Sequence, residues 1–143
     1  MRIYKEHLII SGSKVKEALL KLNKLSRDAI LFVVDNDERL IGALTDGDVR
    51  RGLINGFTVE SNIDDIIQKN PKYILKGSTD LKKIIEYRED DFKILPVLDD
   101  DRKVINIVNF RITRSYLPVD AVIMAGGIGK RLKPLTDLKP KSL

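Results

Sequence analysis

The chain has 143 residues, 43% apolar and 33% charged, and its 26 basic and 21 acidic side chains leave a net charge of +5. This is the composition of a soluble globular protein, with room for one ordinary domain or for two half-sized units that share a core. With no cysteine and one histidine, His7, it offers no disulfide, no thiolate or histidine zinc site and no histidine-based catalytic triad, so no metal site is expected.

Nor does any run approach the roughly 18 apolar residues of a membrane span. The first residues, Met1-Arg2-Ile3-Tyr4-Lys5-Glu6, lack the apolar core of a signal peptide. A cytoplasmic location without membrane contact is expected.

In chain order, Leu8-Ile9-Ile10 reads as a short strand and Ser11-Gly12-Ser13 as a turn. Ser13 is placed to cap a helix running to about Leu25, with Val15, Ala18, Leu19 and Leu22 on one face. That spacing needs no purpose beyond core packing. Residues 30–50 then form the stretch around which the chain is organised. The unbroken apolar run 30–34 predicts a strand covered on both faces. Asp35-Asn36-Asp37-Glu38 supplies turn chemistry, because short polar side chains bond their own backbone. A second strand follows at 40–44, with Gly42 inside it, where a missing Cβ lets another group approach the backbone. Thr45-Asp46-Gly47-Asp48 opens a helix that runs to Ile54 and ends near Gly56.

Another short helix is expected at 62–68, stopped by Asn70-Pro71. Tyr73-Ile74-Leu75 is a strand, Ser78 or Thr79 a cap, and 81–87 a helix with Leu81, Ile84 and Ile85 inward. The syntax of the organising stretch recurs at 94–114. Val34-Asp35 aligns with Leu98-Asp99, Ile41 with Ile105 and Thr45 with Asn109, all 64 residues on, whereas Val15 aligns with Leu81 and Leu19 with Ile85, 66 residues on. The two-residue difference is assigned to the loop after the first helix, where length changes are tolerated. One β-α-β-β-α unit is too small to bury both faces of its sheet, so two should pack as a pseudo-two-fold pair.

The run Ile41-Gly42-Ala43-Leu44-Thr45-Asp46-Gly47-Asp48, after an apolar strand and an acidic turn, resembles the signature of the cystathionine-β-synthase-type (CBS) domain. The resemblance covers roughly residues 7–116, and it implies an α/β (α+β) tandem pair that binds adenosine-containing ligands such as AMP, ADP, ATP or S-adenosylmethionine and regulates a linked catalytic domain. It also implies a homodimer, with the apolar Val49, Leu53 and Ile54 of the second helix available for burial.

The residues themselves fit such a ligand. Thr45 at a helix N-cap places a hydroxyl and amides where a phosphate can sit. Asp48 can accept from two ribose hydroxyls. Gly42 keeps its strand low enough for a base to lie against it. Thr-x-x-Asp is equally the pattern of a plain capping box, worth about 0.5–2 kcal/mol for the cap. In the second repeat Asn106, Asn109 and Ile112 stand where the first has Gly42, Thr45 and Asp48. Isoleucine cannot hold ribose hydroxyls, so one nucleotide per chain is expected.

After Leu117-Pro118, residues 120–125 read as an apolar strand that runs into Gly126-Gly127-Ile128-Gly129-Lys130-Arg131-Leu132. The stretch from Val119 onward carries five basic and two acidic residues, +3, against 21 and 19, +2, in residues 1–118. A nucleic-acid binder would show a basic stripe with interleaved aromatics; glycines beside cations after a strand suit phosphate instead. The P-loop fails because Arg131 stands where Ser or Thr is required, and the dinucleotide fingerprint fails at Leu132. With Pro134-Leu135-Thr136 and Pro140-Lys141, the run resembles the start of sugar-phosphate nucleotidyltransferases.

That second resemblance implies that Gly126, Gly127 and Gly129 bind the phosphates of a nucleoside triphosphate. It makes Arg131 the group that stabilises leaving pyrophosphate, and Lys141 a phosphate contact at the reaction centre. The expected organisation is therefore repeat 1 at 1–60, repeat 2 at 61–117, and at 118–143 the first strand and glycine-rich loop of a truncated Rossmann-like catalytic domain. The fragment itself should not catalyse. Its parent would be a sugar-1-phosphate guanylyl-, thymidylyl- or uridylyltransferase of sugar nucleotide biosynthesis, with Mg2+ only there. Two other readings stay open: a stand-alone nucleotide-binding module, and a purely structural dimerisation pair.

Overall fold

A computed structural model describes residues 3–77 and 81–112. The fold is mixed α+β, with two small sheets and three helices among the described residues. The first sheet has the order β1 (Leu8–Ile10), β2 (Ile30–Val34), β3 (Leu40–Thr45) and β4 (Gln68–Lys69). β1 runs parallel to β2, and the remaining pairs are antiparallel. α1 (Val15–Leu25) and α2 (Asp46–Ile54) cover one face.

β2 explains why its sequence is unbroken apolar rather than alternating. Leu31 and Val33 point into the cluster under the helices with Val15, Ala18, Leu22 and Val49. Phe32 and Val34 point the other way, into a cluster with Tyr4, Leu40, Ile94, Leu98 and Val104. That second cluster draws on both repeats, so the far face of each sheet is buried by the other unit. Full burial of one such side chain contributes about 1.5–3 kcal/mol.

The second unit repeats the first in register. β5 (Ile74–Leu75) runs parallel to β6 (Ile94–Leu98), which pairs antiparallel with β7 (Val104–Asn109). Every β2–β3 partner maps onto a β6–β7 partner 64 residues later, including the register shift beside Val33 and Val97. The acidic turns close alike. Asp35 Oδ1 accepts from the amides of Asp37 and Arg39, and Asp99 Oδ1 from those of Asp101 and Lys103. Glu38 and Arg102 both take the left-handed conformation at φ 64°. The two hairpins meet at their tips, where Leu40 N–H donates to Arg102 O and Val104 N–H to Glu38 O, each at 3.0 Å. The pseudo-two-fold thus passes beside the Arg39–Lys103 bridge.

Three expectations are corrected. Ser13 does not cap α1; Lys14 stands at the N-cap without a side-chain bond. The amides of Val15 and Lys16 donate instead to the carbonyls of Ser61 and Val59, so a distant loop caps this helix. Residues 62–68 form no α-helix. A single 3-10 turn, Ile63–Asp65, is capped by the Asn62 side chain, and the chain then runs extended to pair as β4 with β3. The repeats also differ in helix length, not in the following loop: α1 has 11 residues and α3 (Leu81–Glu89) has 9, while residues 26–29 and 90–93 are equally long. The expected cap at Ser78 or Thr79 lies outside the described residues.

Two glycines make room for the segment after α2. A Cβ on Gly42 would lie 2.8 Å from Ile67 Cδ1 and 3.0 Å from Gln68 O, and a Cβ on Gly52 would lie 2.8 Å from Ile66 Cγ2. Alanine in a helix interior is normally favoured over glycine by about 0.8–1 kcal/mol, but overpacking costs about 1–3 kcal/mol. Gly52→Ala is therefore expected to lower the unfolding free energy in urea titration, and adding Ile66→Ala should recover part of that specific loss. A stabilised Gly52→Ala variant would show that Ile66 yields freely.

Candidate functional site

Thr45 leaves β3 in an extended conformation and caps α2. Its hydroxyl accepts from Asp48 N–H at 3.3 Å and donates to Asp48 Oδ2 at 2.6 Å, and its amide donates to the same oxygen at 2.8 Å. The capping box is complete. Asp48 is only 6% exposed, so its charge requires partners on every side. Oδ1 finds them in Arg51 Nη2 at 2.6 Å and Gln68 Nε2 at 2.9 Å. Burial pushes the Asp48 pKa up, and the bonds from Thr45, Gln68 and Arg51 together outweigh it, holding the group below the usual carboxylate value.

A cavity of about 520 Å³ opens at this cap, between the two units. Its apolar floor includes Ile30, Phe32 and Ala43, and the first turn of α2 contributes Thr45, Asp46 and Gly47. The linker adds Asn70, Pro71 and Lys72, and the second unit adds Phe92, Lys93 and Ile94. Arg27, Lys72 and Lys93 reach the wall from three separate segments; none of them is paired with a carboxylate among the described residues. Asp46 is held by Arg50 at 2.6 Å. The site combines an apolar platform, a helix N-terminus and three cations with three carboxylates. Of these carboxylates, Asp46 and Asp28 are engaged by Arg50 and Arg111, and Asp91 stands on the second unit's wall. The cations can meet the anionic group of a flat-ringed ligand.

The structure brings Thr45 and Asp48 together but separates Gly42 from the cavity. Gly42 faces the helical layer, where Ile67 and the Gln68 backbone fill the space beside it. The platform on the cavity side is Ala43, one residue on. Gly42 is thus required by a strand packed against it and not by a base. In the second unit Asn109, at the position matching Thr45, donates its side-chain amide to Asp28 Oδ2 at 2.9 Å. Arg111 donates to the same oxygen at 3.3 Å and lies 3.1 Å from Oδ1. Ile112, matching Asp48, is 72% exposed.

Gly126, Gly127, Gly129, Arg131 and Lys141 lie outside the described residues. Sequence reasoning missed Gln68, because its segment read as helix, and missed the three cations, because nothing local links them. Among the described residues no cluster of His, Asp or Glu could hold a metal ion, and no helix is long and apolar enough to cross a membrane.

Residues 10–55 match the family model described as "CBS domain". An uncharacterized protein of Helicobacter pylori strain J99 is 31% identical over 103 residues, covering 71% of this chain and 31% of that protein. Uncharacterized protein RP505 of Rickettsia prowazekii is 27% identical over 94 residues, covering 66% of this chain and 29% of its own length. The chain therefore spans about a third of the length of the curated relatives it matches.

Among solved structures, the fold is shared with CBS-domain pairs. The CBS domain protein PAE2072 from Pyrobaculum aerophilum, complexed with AMP, aligns at a TM-score of 0.61 with 13% identity, covering 78% of this chain and 88% of that one. The cytosolic domain of the Mg2+ channel MgtE in complex with ATP aligns at 0.59 with 25% identity, covering 74% and 43%. The CBS pair of protein MJ0100, with 5′-methylthioadenosine and S-adenosyl-L-methionine, aligns at 0.60 with 24% identity, covering 73% and 84%.

The lowered pKa of Asp48 sets a direction for acid stability. A carboxylate whose folded pKa lies below its unfolded value contributes stability above the unfolded pKa of about 3.9, and that contribution disappears as pH falls through the folded pKa. Urea titrations of the wild type and Asp48→Asn should therefore differ most at neutral pH and converge in acid. A gap that widened in acid would contradict the paired carboxylate.

Proposed function

We propose that residues 1–117 form a regulatory CBS pair, repeat 1 at 1–60 and repeat 2 at 61–117, that binds one adenosine nucleotide per chain in the cavity between its units. The observation that carries this reading is the convergence of Arg27, Lys72 and Lys93, none paired with a carboxylate among the described residues, on a cavity floored by Ile30, Phe32 and Ala43 and headed by the α2 N-terminus. Adenine lies against the apolar floor, phosphate meets the cations and helix amides, and the ribose turns toward Thr45 and Asp48. Neighbours of the same fold that were solved with AMP, ATP or S-adenosyl-L-methionine support the ligand class. The second unit takes no nucleoside, since Asn109 is tied to Asp28 and Ile112 replaces the carboxylate.

In this reading residues 118–143 open a sugar-1-phosphate nucleotidyltransferase, which converts a nucleoside triphosphate and a sugar 1-phosphate into a nucleoside-diphosphate sugar and pyrophosphate. Gly126, Gly127 and Gly129 hold the triphosphate, Arg131 the leaving pyrophosphate and Lys141 a reacting phosphate. The support is the ordered motif from Gly126 to Lys141 and the greater length of the relatives, of which the matched region covers 31% and 29%. The pair also joins two copies of the protein through α2, where Ile54 is 78% exposed. A purely structural module is the second reading, favoured by one observation: the Asp48 carboxylate is fully engaged inside the chain.

Calorimetry decides between them. AMP, ADP or ATP should bind at one site per chain, and Lys93→Ala should weaken AMP about tenfold, the loss of one charge-assisted hydrogen bond, while leaving adenosine unchanged. Two equal sites, or no binding, would refute the one-nucleotide reading. In the whole gene product Arg131→Ala should abolish pyrophosphate release from nucleoside triphosphate and sugar 1-phosphate without changing AMP binding by the pair. Loss of AMP binding in that variant would place the regulatory site in the wrong segment.

A further inference from the structure

We propose that the side chain of Gln68 competes with the ligand for Asp48 and so sets the affinity and the ribose requirement of the site. The inference rests on the reading of the cavity as an adenosine-nucleotide site. Thr45 and Gln68 line that cavity, whereas Asp48 does not. Gln68 donates Nε2 to Asp48 Oδ1 at 2.9 Å and so stands between the cavity and the carboxylate.

The carboxylate has no acceptor position to spare. A carboxylate has about four lone-pair sites, and Asp48 receives two donors from Thr45, one from Arg51 and one from Gln68. A ribose diol can therefore bond it only by replacing a donor already present. The Thr45 donors belong to the cap and are fixed by it. Arg51 approaches from the next turn of α2, outside the cavity wall. Gln68 is the donor on the ligand's side.

The backbone that carries Gln68 stays in place while its amide turns. Gln68 pairs with Ala43 and Lys69 with Gly42 in the β3–β4 ladder, and Ile67 is pressed against Gly42. Movement is thus confined to the side chain, which is exposed and held by its bond to Asp48. Exchange of one neutral donor for another at a charged acceptor replaces a bond with an equivalent one, so the ribose hydroxyl gains less at Asp48 than it would at an uncovered carboxylate. Gln68 is a positioning residue for Asp48 and a brake on nucleotide affinity.

The test is a double-mutant cycle read by calorimetry with AMP as the titrant, using Gln68→Ala, Asp48→Asn and the pair, with thermal melts to establish that each variant folds. Gln68→Ala should bind AMP about three to ten times more tightly, the range for one net hydrogen bond. The gain should vanish in the Asp48→Asn background, because there is then no charged acceptor to uncover. Weaker binding by Gln68→Ala would overturn the proposal by making Gln68 a ligand contact. An equal gain with and without the Asp48 charge would overturn it in favour of steric obstruction. Failure of the proposed function looks different: AMP binds neither the wild type nor Gln68→Ala, or Asp48→Asn binds as the wild type does.

Discussion

At the tips of the two hairpins, Leu40 N–H donates to Arg102 O and Val104 N–H to Glu38 O. Beneath this exchange Phe32, Val34 and Leu40 pack with Ile94, Leu98 and Val104. The rest of the structure depends on that junction. A four-stranded sheet with helices on one side leaves its other face wet, and a unit of this size has nothing else with which to cover it. The two hairpins solve the problem by burying each other, and backbone bonds at the tips fix the angle at which they do so. The same junction creates the cavity, because the faces diverge away from the tips toward Thr45 on one side and Phe92 and Lys93 on the other. Any group bound there touches both units and reads their separation.

A carboxylate as buried as Asp48 is tolerated only when fully bonded. Here one side chain serves two ends. It completes the box that starts α2, and it holds Arg51 and Gln68, which belong to the helix and to β4. The cap is therefore not an alternative to a binding role. It is what keeps the carboxylate ionised and in place, its charge stabilised by the bonds from Thr45, Gln68 and Arg51. The linker gains as well, since the Gln68 bond adds to the slot that Gly42 and Gly52 leave for Ile67 and Ile66.

What was legible in the sequence was local or periodic. The apolar run from Ile30 to Val34, the acidic turns and the 64-residue offset announced both hairpins, because strand burial and Asp-bonded turns are written in adjacent residues, while the pairing within each is read from the structure. The Thr45–Asp48 capping box was legible for the same reason. What escaped was carried by distant pairs. The α1 cap is made by carbonyls at 59 and 61, which no local pattern announces. The slot beside Gly42 hides a strand that reads as helix when 62–68 is taken alone. Gly42 itself was seen as unusual, but the side of the sheet it opens depends on a register that β4 supplies. Arg27, Lys72 and Lys93 come from three segments, and as single residues each resembles any surface cation.

The departure of the second unit from the symmetry of the first now has a structural reason. At the position of Thr45 the second hairpin ends in Asn109, and its amide reaches across the junction to Asp28 in the loop after α1. The residue matching Asp28 in the second unit is Phe92, whose ring packs edge-on against Tyr87 at 5.8 Å. So one loop contributes a carboxylate that closes on its neighbour's strand end, and its counterpart contributes an aromatic ring that turns into its own helix. The first arrangement ties Asn109 down with a side-chain hydrogen bond beside the Arg111–Asp28 ion pair; the second leaves Thr45 on the cavity wall. A two-fold arrangement of backbones therefore carries different side chains at its two matching loop positions, and the asymmetry among the described residues comes from Asp28 and Phe92 as much as from the motif positions themselves.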